Sequence, residues 1–178
     1  MELVKVLDKT FKPFISKDQI AARIGEISSQ INNDLEGDDL LFIGVLNGSF
    51  MFVADLFRQI NLDAEISFLK LSSYEGMEST GNIRRLIGLN EDLHGKTVVV
   101  VEDIIDTGRT LQGIVEDLNS RGASAIKVVT LLLKPEAYEG SYRIDYVGFK
   151  IPNNFVVGYG LDYDGLGRNL DSVYSLAE

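Results

Sequence analysis

Val98-Val99-Val100-Val101-Glu102-Asp103-Ile104-Ile105-Asp106-Thr107-Gly108-Arg109-Thr110 is the stretch from which the rest of the chain can be read. Val98 to Val101 form an unbroken β-branched run, which predicts a strand covered on both faces, as in parallel sheets. Glu102 and Asp103 then follow where such a strand should stay apolar, so its carboxyl end is expected to open toward solvent or ligand. Asp106 to Thr110 supply hydroxyls, a glycine and a cation ahead of a helix. That helix is marked by Leu111, Ile114, Val115 and Leu118 at i, i+3, i+4 and i+7, with Gly122 to stop it. Its amino end offers free N–H groups and the positive end of the helix dipole, which suit a phosphate. The neighbouring carboxylates would repel that phosphate. They suit ribose hydroxyls or Mg²⁺, and one could serve as a general base.

The pattern around this unit is alternating. Ile15 to Asn32 reads as a first helix, with Ser16 as N-cap, Gln19 completing a capping box, and Ile15 stapled against Ile20. Leu40 to Leu46 reads as a second buried strand broken by Asn47-Gly48. A helix from Ser49 to Ile60 is expected to face Phe50, Val53, Leu56, Phe57 and Ile60 inward. Ala64 to Leu71 and Ile83 to Ile87 read as a hairpin with a long polar loop over 72–82. Strands are also expected at Ile126 to Leu133 and Tyr146 to Ile151, ahead of Phe155-Val156-Val157-Gly158-Tyr159-Gly160. Strands alternating with helices predict an α/β fold with a mostly parallel twisted sheet flanked by helices. Ligands in such sheets sit at strand carboxyl ends. Asn47-Gly48, Glu102-Asp103, Lys134 and the stretch through Asp162 all begin there. The absence of repeats and linkers predicts one domain over 1–178.

Composition narrows the function. The 178-residue chain carries a formal charge of −10 and no cysteine. An acidic chain argues against a general nucleic-acid or anionic-membrane surface, so no nucleic acid and no membrane are expected as partners. Any anionic substrate must be met by local cations, backbone N–H groups and metal. Disulfides and Cys-ligated zinc are excluded. The amino terminus lacks a basic segment followed by an apolar one, and no apolar run is long enough to span a bilayer, which reads as cytoplasmic. No G-x-G-x-x-G follows a strand. Gly76 and Gly81 have Walker spacing, but Asn82 stands where Lys is required. His94 reads as a solvated turn residue.

The quoted stretch resembles the phosphoribosyl pyrophosphate signature of the type I phosphoribosyltransferases: a hydrophobic strand, two acids, two apolar residues and Asp-Thr/Ser-Gly-x-Thr. Nearly the whole chain is similar to the hypoxanthine-guanine (6-oxopurine) branch. The pieces that carry this are Leu46 to Phe52, Ser72-Ser73-Tyr74, Leu131 to Pro135, and Phe155 through Tyr163 followed by Arg168. The resemblance implies that fold with a small hood and a flexible lid hairpin. It implies transfer of a phosphoribosyl group to hypoxanthine or guanine with Mg²⁺, in a homodimer or homotetramer. Xanthine is a further candidate base.

Carried over by residue, the resemblance gives Asp106 the general acid/base role at purine N7. It gives Glu102 and Asp103 the ribose hydroxyls and Mg²⁺, and Asp106, Thr107, Gly108, Arg109 and Thr110 the 5′-phosphate. Lys134 is assigned the 6-oxo group, Phe155 and Val156 the base, and Asp162 a second metal contact and the 2-position. Asn47, Gly48 and Arg168 are assigned pyrophosphate, with a non-proline cis peptide at Leu46–Asn47. Ser73 and Tyr74 begin the lid. Without the pattern, Phe155 would read as packing, Lys134 as a loop lysine and Arg168 as a surface arginine. Two departures stand out: Asn47 occupies a position where relatives often carry Lys or Arg, and Asp164-Gly165-Leu166-Gly167 replaces bulkier residues. A rival class is a nucleic-acid-binding regulator that keeps the site as a sensor, which would need a basic face.

Overall fold

The computed structural model describes residues 2–72 and 84–177. Its elements run β1 (Val4–Val6), β2 (Lys9–Ile15), α1 (Lys17–Asp34), β3 (Leu40–Leu46), α2 (Phe50–Phe57), β4 (Ala64–Ser72), β5 (Arg84–Ile87), β6 (Thr97–Ile105), α3 (Arg109–Ser120), β7 (Ala125–Leu133), β8 (Tyr146–Lys150), β9 (Val156–Val157) and β10 (Val173–Leu176). The main sheet has six strands in the order β5-β4-β3-β6-β7-β8. All neighbours are parallel except β5, which returns antiparallel to β4. A second sheet, β1-β2-β10-β9, is antiparallel and forms the hood.

The valine run is buried as its sequence requires. Val98, Val99, Val100 and Val101 are each 0 % exposed. Side chains alternate across a strand. Val99 and Val101 pack with Ile20, Ile24, Ile27 and Ile31 of α1 and Phe52 and Leu56 of α2. Val98 and Val100 pack on the other face with Leu111, Ile114, Val115 and Leu118 of α3. Burying one such side chain stabilises by about 1.5–3 kcal/mol, so the two faces hold the sheet between helical layers.

The first helix begins one residue after Ser16, and the capping box is formed: Gln19 N donates to Ser16 Oγ at 3.2 Å, and Ser16 N donates to Gln19 Oε1 at 2.9 Å. Replacing Ser16 with Ala is expected to lower stability by about 1 kcal/mol without changing the fold. A urea midpoint that does not move would show that this cap carries no weight.

Several boundaries differ from the expectations. Helix α2 ends at Phe57 rather than Ile60; Val53, Leu56, Phe57 and Ile60 pack toward the core as expected, Phe52 joins them, and Phe50 is 42 % exposed. Strand β6 runs past the valines to Ile105, so Glu102 and Asp103 lie within the strand, with Glu102 opposite Thr130 of β7. The hairpin of β1 and β2 was not foreseen. No described helix is long and apolar enough to cross a membrane. The expected lid residues Ser73 and Tyr74 lie outside the described residues.

The strand order positions the site. From β3 the chain moves through α2 to β4 on one side. From β6 it moves through α3 to β7 on the other. The two crossovers diverge, leaving a crevice between the carboxyl ends of β3 and β6. That is the topological switch point where parallel α/β sheets take ligands.

Candidate active site

Asn47-Gly48 leaves β3, and Glu102-Asp103 lies in the carboxyl-terminal part of β6, on the two sides of this crevice. The two loops touch. A Cβ added at Gly48 would lie 1.6 Å from Asp103 Oδ2, so a side chain here would push this carboxylate out of its place. The Leu46–Asn47 peptide bond is cis, as the resemblance implied. Asp103 Oδ1 accepts from Ile104 N at 2.8 Å.

Glu102 is 6 % exposed, and burial, then the charge of Asp103, pushes its carboxyl well above the usual range. Burial also raises Asp103 to about 6, against the lowering effects of the Ile104 N–H, its own backbone N–H and Arg168. Two adjacent acids, neither in an ion pair among the described residues, therefore lie at the floor of the crevice. Both carboxyls are raised; for Asp103 the contribution to stability is complete below about pH 3.8 and is lost as pH rises through about 6. In metal-free buffer at pH 7–8, Asp103→Asn is expected to raise the unfolding midpoint while losing activity. Asn retains an acceptor for Ile104 N–H and sheds the buried charge. A variant less stable than wild type across that range would overturn the assignment of strain to this acid.

The turn after β6 leads directly into α3. Gly108 is the N-cap, with φ 84, and no side chain caps the helix. A cavity of about 110 Å³ is lined by Glu102, Asp106, Thr107, Gly108, Arg109 and Thr110 among others. Free N–H groups at such a helix end suit a phosphate group. A larger cavity, about 610 Å³, lies between α1 and α2 and is lined by none of the expected site residues.

Lys134 follows β7 and is tied to the turn. Its backbone N donates to Ile105 O at 3.0 Å, and its Nζ lies 2.9 Å from Asp106 Oδ2. The Lys134 side chain is 12 % exposed and that of Asp106 51 % exposed, so the pair sits at the mouth of the crevice with the carboxylate outermost. Asp162 and Arg168 were expected to act separately, on metal and on pyrophosphate. Here they are paired: Arg168 Nη2 is 2.7 Å from Asp162 Oδ1, and Arg168 Nη1 donates to Gly160 O at 2.7 Å. Asp162 Oδ2 accepts from Gly165 N at 2.7 Å. The unusual Asp164-Gly165-Leu166-Gly167 run is what makes this turn. Asp164, Gly165 and Gly167 have φ of 50, 82 and 90, and Tyr163 and Leu166 bond across it.

Phe155 is 44 % exposed and Val156 is buried. The Phe155 ring lies 6.1 Å from Phe11 at a tilt of 42°, and 5.8 Å from Tyr163 in the edge-on geometry aromatic pairs favour. Phe11 comes from the unforeseen hairpin, and Asp8 of the same hairpin accepts from Tyr163 O–H at 2.8 Å. Only the alternation of Phe11 with polar neighbours could have signalled this support. His94 is exposed in its turn beside Asp92, as read.

Among the described residues, no three of His, Asp and Glu cluster into a ready cation cage. That does not conflict with Mg²⁺, which is usually held by one or two carboxylates together with substrate phosphates. Glu102 and Asp103 are hard oxygen donors whose unfavourable ionisation a divalent cation would offset.

The family model of the phosphoribosyl transferase domain matches residues 16–164. The chain is 44% identical over 169 residues to the hypoxanthine-guanine phosphoribosyltransferase of Mycobacterium tuberculosis, covering 91% of this chain and 84% of that one. It is 42% identical over 164 residues to the hypoxanthine phosphoribosyltransferase of Escherichia coli, covering 90% and 92%. The crystal structure of a hypoxanthine phosphoribosyltransferase from Staphylococcus aureus superposes with a TM-score of 0.88 at 40% identity, covering 93% of this chain and 91% of that one. The chain belongs to the phosphoribosyl transferase family. Its similarity within that family runs to the hypoxanthine and hypoxanthine-guanine enzymes.

Proposed function

We propose that this protein is a purine-salvage transferase. It moves the phosphoribosyl group of phosphoribosyl pyrophosphate to hypoxanthine or guanine, giving IMP or GMP and pyrophosphate. The observation that carries this reading is the pair of Asp106 Oδ2 and Lys134 Nζ, 2.9 Å apart beside the phosphate-sized turn. A 6-oxopurine carries N7 and O6 side by side on one edge, and adenine carries N7 and an amino group there. A carboxylate that handles the N7 proton and an ammonium that donates to O6 fit the first edge. The ammonium opposes adenine's amino donor.

In this reading Thr107, Gly108, Arg109 and Thr110 hold the 5′-phosphate, Glu102 and Asp103 hold the ribose hydroxyls, and Phe155 and Val156 hold the base. Asn47, the Gly48 backbone and Arg168 hold pyrophosphate. The bond from C1′ to the departing oxygen breaks with oxocarbenium character, so the departing charge must be met in place by positive groups. Mg²⁺ held by Glu102, Asp103 and Asp162 together with the substrate would supply charge neutralisation of the leaving pyrophosphate. Arg168 then exchanges Asp162 for pyrophosphate, and Asp106 takes the proton that leaves N7. The setting is read as cytoplasmic, and the active species as a homodimer or homotetramer. Exposed Phe50, Ile66 and Phe68, at 42 %, 38 % and 37 %, support a second copy covering this face, which light scattering of the purified protein would test.

Assays with phosphoribosyl pyrophosphate and each of hypoxanthine, guanine, xanthine and adenine test the reading. Turnover of hypoxanthine or guanine and negligible use of adenine are expected, because a site built around a donor leaves that donor unpaired or opposed by the wrong base. Comparable kcat/KM for adenine would refute the role given to Lys134.

A further inference from the structure

The geometry points to Tyr138 as a positioning residue that holds the phosphate turn from behind and ties it to the base-reading lysine. This rests on the reading of Asp106 to Thr110 as the 5′-phosphate cradle.

The ring of Tyr138 is wedged between two glycine backbones. A Cβ added at Gly108 would lie 2.4 Å from Tyr138 Cε2 and 2.9 Å from Cδ2. One added at Gly140 would lie 2.6 Å from the hydroxyl oxygen, 2.7 Å from Cζ and 2.8 Å from Cε2 of the same ring. The hydroxyl donates to Tyr142 O at 2.6 Å, which fixes the ring in its plane. The ring also packs against the cluster that contains Leu111, the first apolar residue of α3.

The backbone around Tyr138 closes the link. Ala137 N and Tyr138 N both donate to Lys134 O, at 3.2 and 3.1 Å. Glu139 N then donates to Thr107 O at 3.1 Å. One turn, 134–139, thus starts at Lys134 and ends on the phosphate turn, with the Tyr138 ring packed on the Gly108 end of it. This support matters because α3 has no side-chain cap. Thr107 Oγ1 is 3.5 Å from Arg109 N, too long to hold the turn from the ligand side. Gly108 O accepts from Gln112 N at 2.9 Å on the helix side, Arg109 pairs with Glu139 at 3.7 Å on the exposed side, and the ring and the Glu139 N–H hold the turn from behind.

Steady-state kinetics of Tyr138→Ala and Tyr138→Phe test the proposal, with Thr110→Ala as the reference for the cradle itself. Tyr138→Ala is expected to raise KM for phosphoribosyl pyrophosphate by roughly 10- to 10²-fold, the scale set by small misplacements of a binding group. KM for hypoxanthine should change much less, because Lys134 remains tied to Ile105. Tyr138→Phe keeps the ring and should stay near wild type. A residue of merely structural importance would lower the unfolding midpoint and the active fraction and leave both KM values alone. Should Tyr138→Ala fail to fold, Tyr138→Leu keeps apolar volume without a flat ring, and the same selective rise in KM is expected.

Gly108→Ala adds a second arm. Its loss should be smaller in the Tyr138→Ala background than in the wild type, since the clash with the ring is gone. Unchanged KM for phosphoribosyl pyrophosphate in Tyr138→Ala, alongside a raised value in Thr110→Ala, would overturn the role of Tyr138 alone. Unchanged values in both would remove the phosphate cradle from this turn and the inference with it.

Discussion

Asp106→Asn is expected to fold as the wild type and to lose roughly 10²–10⁴-fold in kcat, the usual contribution of a general acid/base. The residue lies just beyond β6, its side chain is 51 % exposed, and it pairs with Lys134. Little packing depends on it, so stability should hold. Asn still offers an oxygen to Lys134 Nζ, which preserves the arrangement at the mouth of the crevice while removing the ability to take a proton. The comparison needs kcat at saturating hypoxanthine and phosphoribosyl pyrophosphate, together with the unfolding midpoint. Turnover near the wild-type value in a fully folded variant would refute the role of Asp106.

Gly48→Ala should separate folding from activity in a different way. The new methyl would sit 1.6 Å from Asp103 Oδ2. The carboxylate is the end of a short side chain and can swing away, so the fold should survive with a modest drop in midpoint. The swing breaks the Asp103–Ile104 bond and moves an acid assigned to the ribose hydroxyls and metal. Displacing a positioned group by about 1 Å costs on the order of 10²-fold, and that loss is expected in kcat/KM for phosphoribosyl pyrophosphate. Activity within a few-fold of wild type would mean that the contact between the β3 loop and Asp103 has no catalytic consequence. The pair Gly48→Ala and Asp103→Asn is informative together: the first should destabilise slightly, the second should stabilise the metal-free protein, and both should lower activity.

Local sequence determined a large part of this molecule. Leu40–Leu46 is bounded as read, because an apolar run between the polar turn at 36–39 and Asn47-Gly48 leaves no other register. The capping box fixed the start of α1, since both reciprocal bonds join neighbours in sequence. The valine run and the spacing of Leu111, Ile114, Val115 and Leu118 specified a doubly covered strand and the helix behind it, and α3 buries those four residues. The acids, the phosphate turn and Lys134 were legible as chemistry because charge beside a buried strand is out of place without a ligand.

Tertiary structure decided the rest, wherever the partner lies far along the chain. The hood pairs β2 with β10, joining Phe11 to Leu176, and Pro13 in β2 obscured that strand by removing a donor. Whether Phe50 or Phe52 of α2 meets the core was decided by how the helix docks on the sheet, which period alone does not set. The meeting of Asp106 with Lys134, of Gly48 with Asp103, of Asp162 with Arg168 and of Gly108 with Tyr138 was equally invisible. A residue's type says which chemistry it can perform. Distances between loops at the ends of different strands arise only when the sheet order brings those ends together, and here that order sets β3 beside β6 and β6 beside β7.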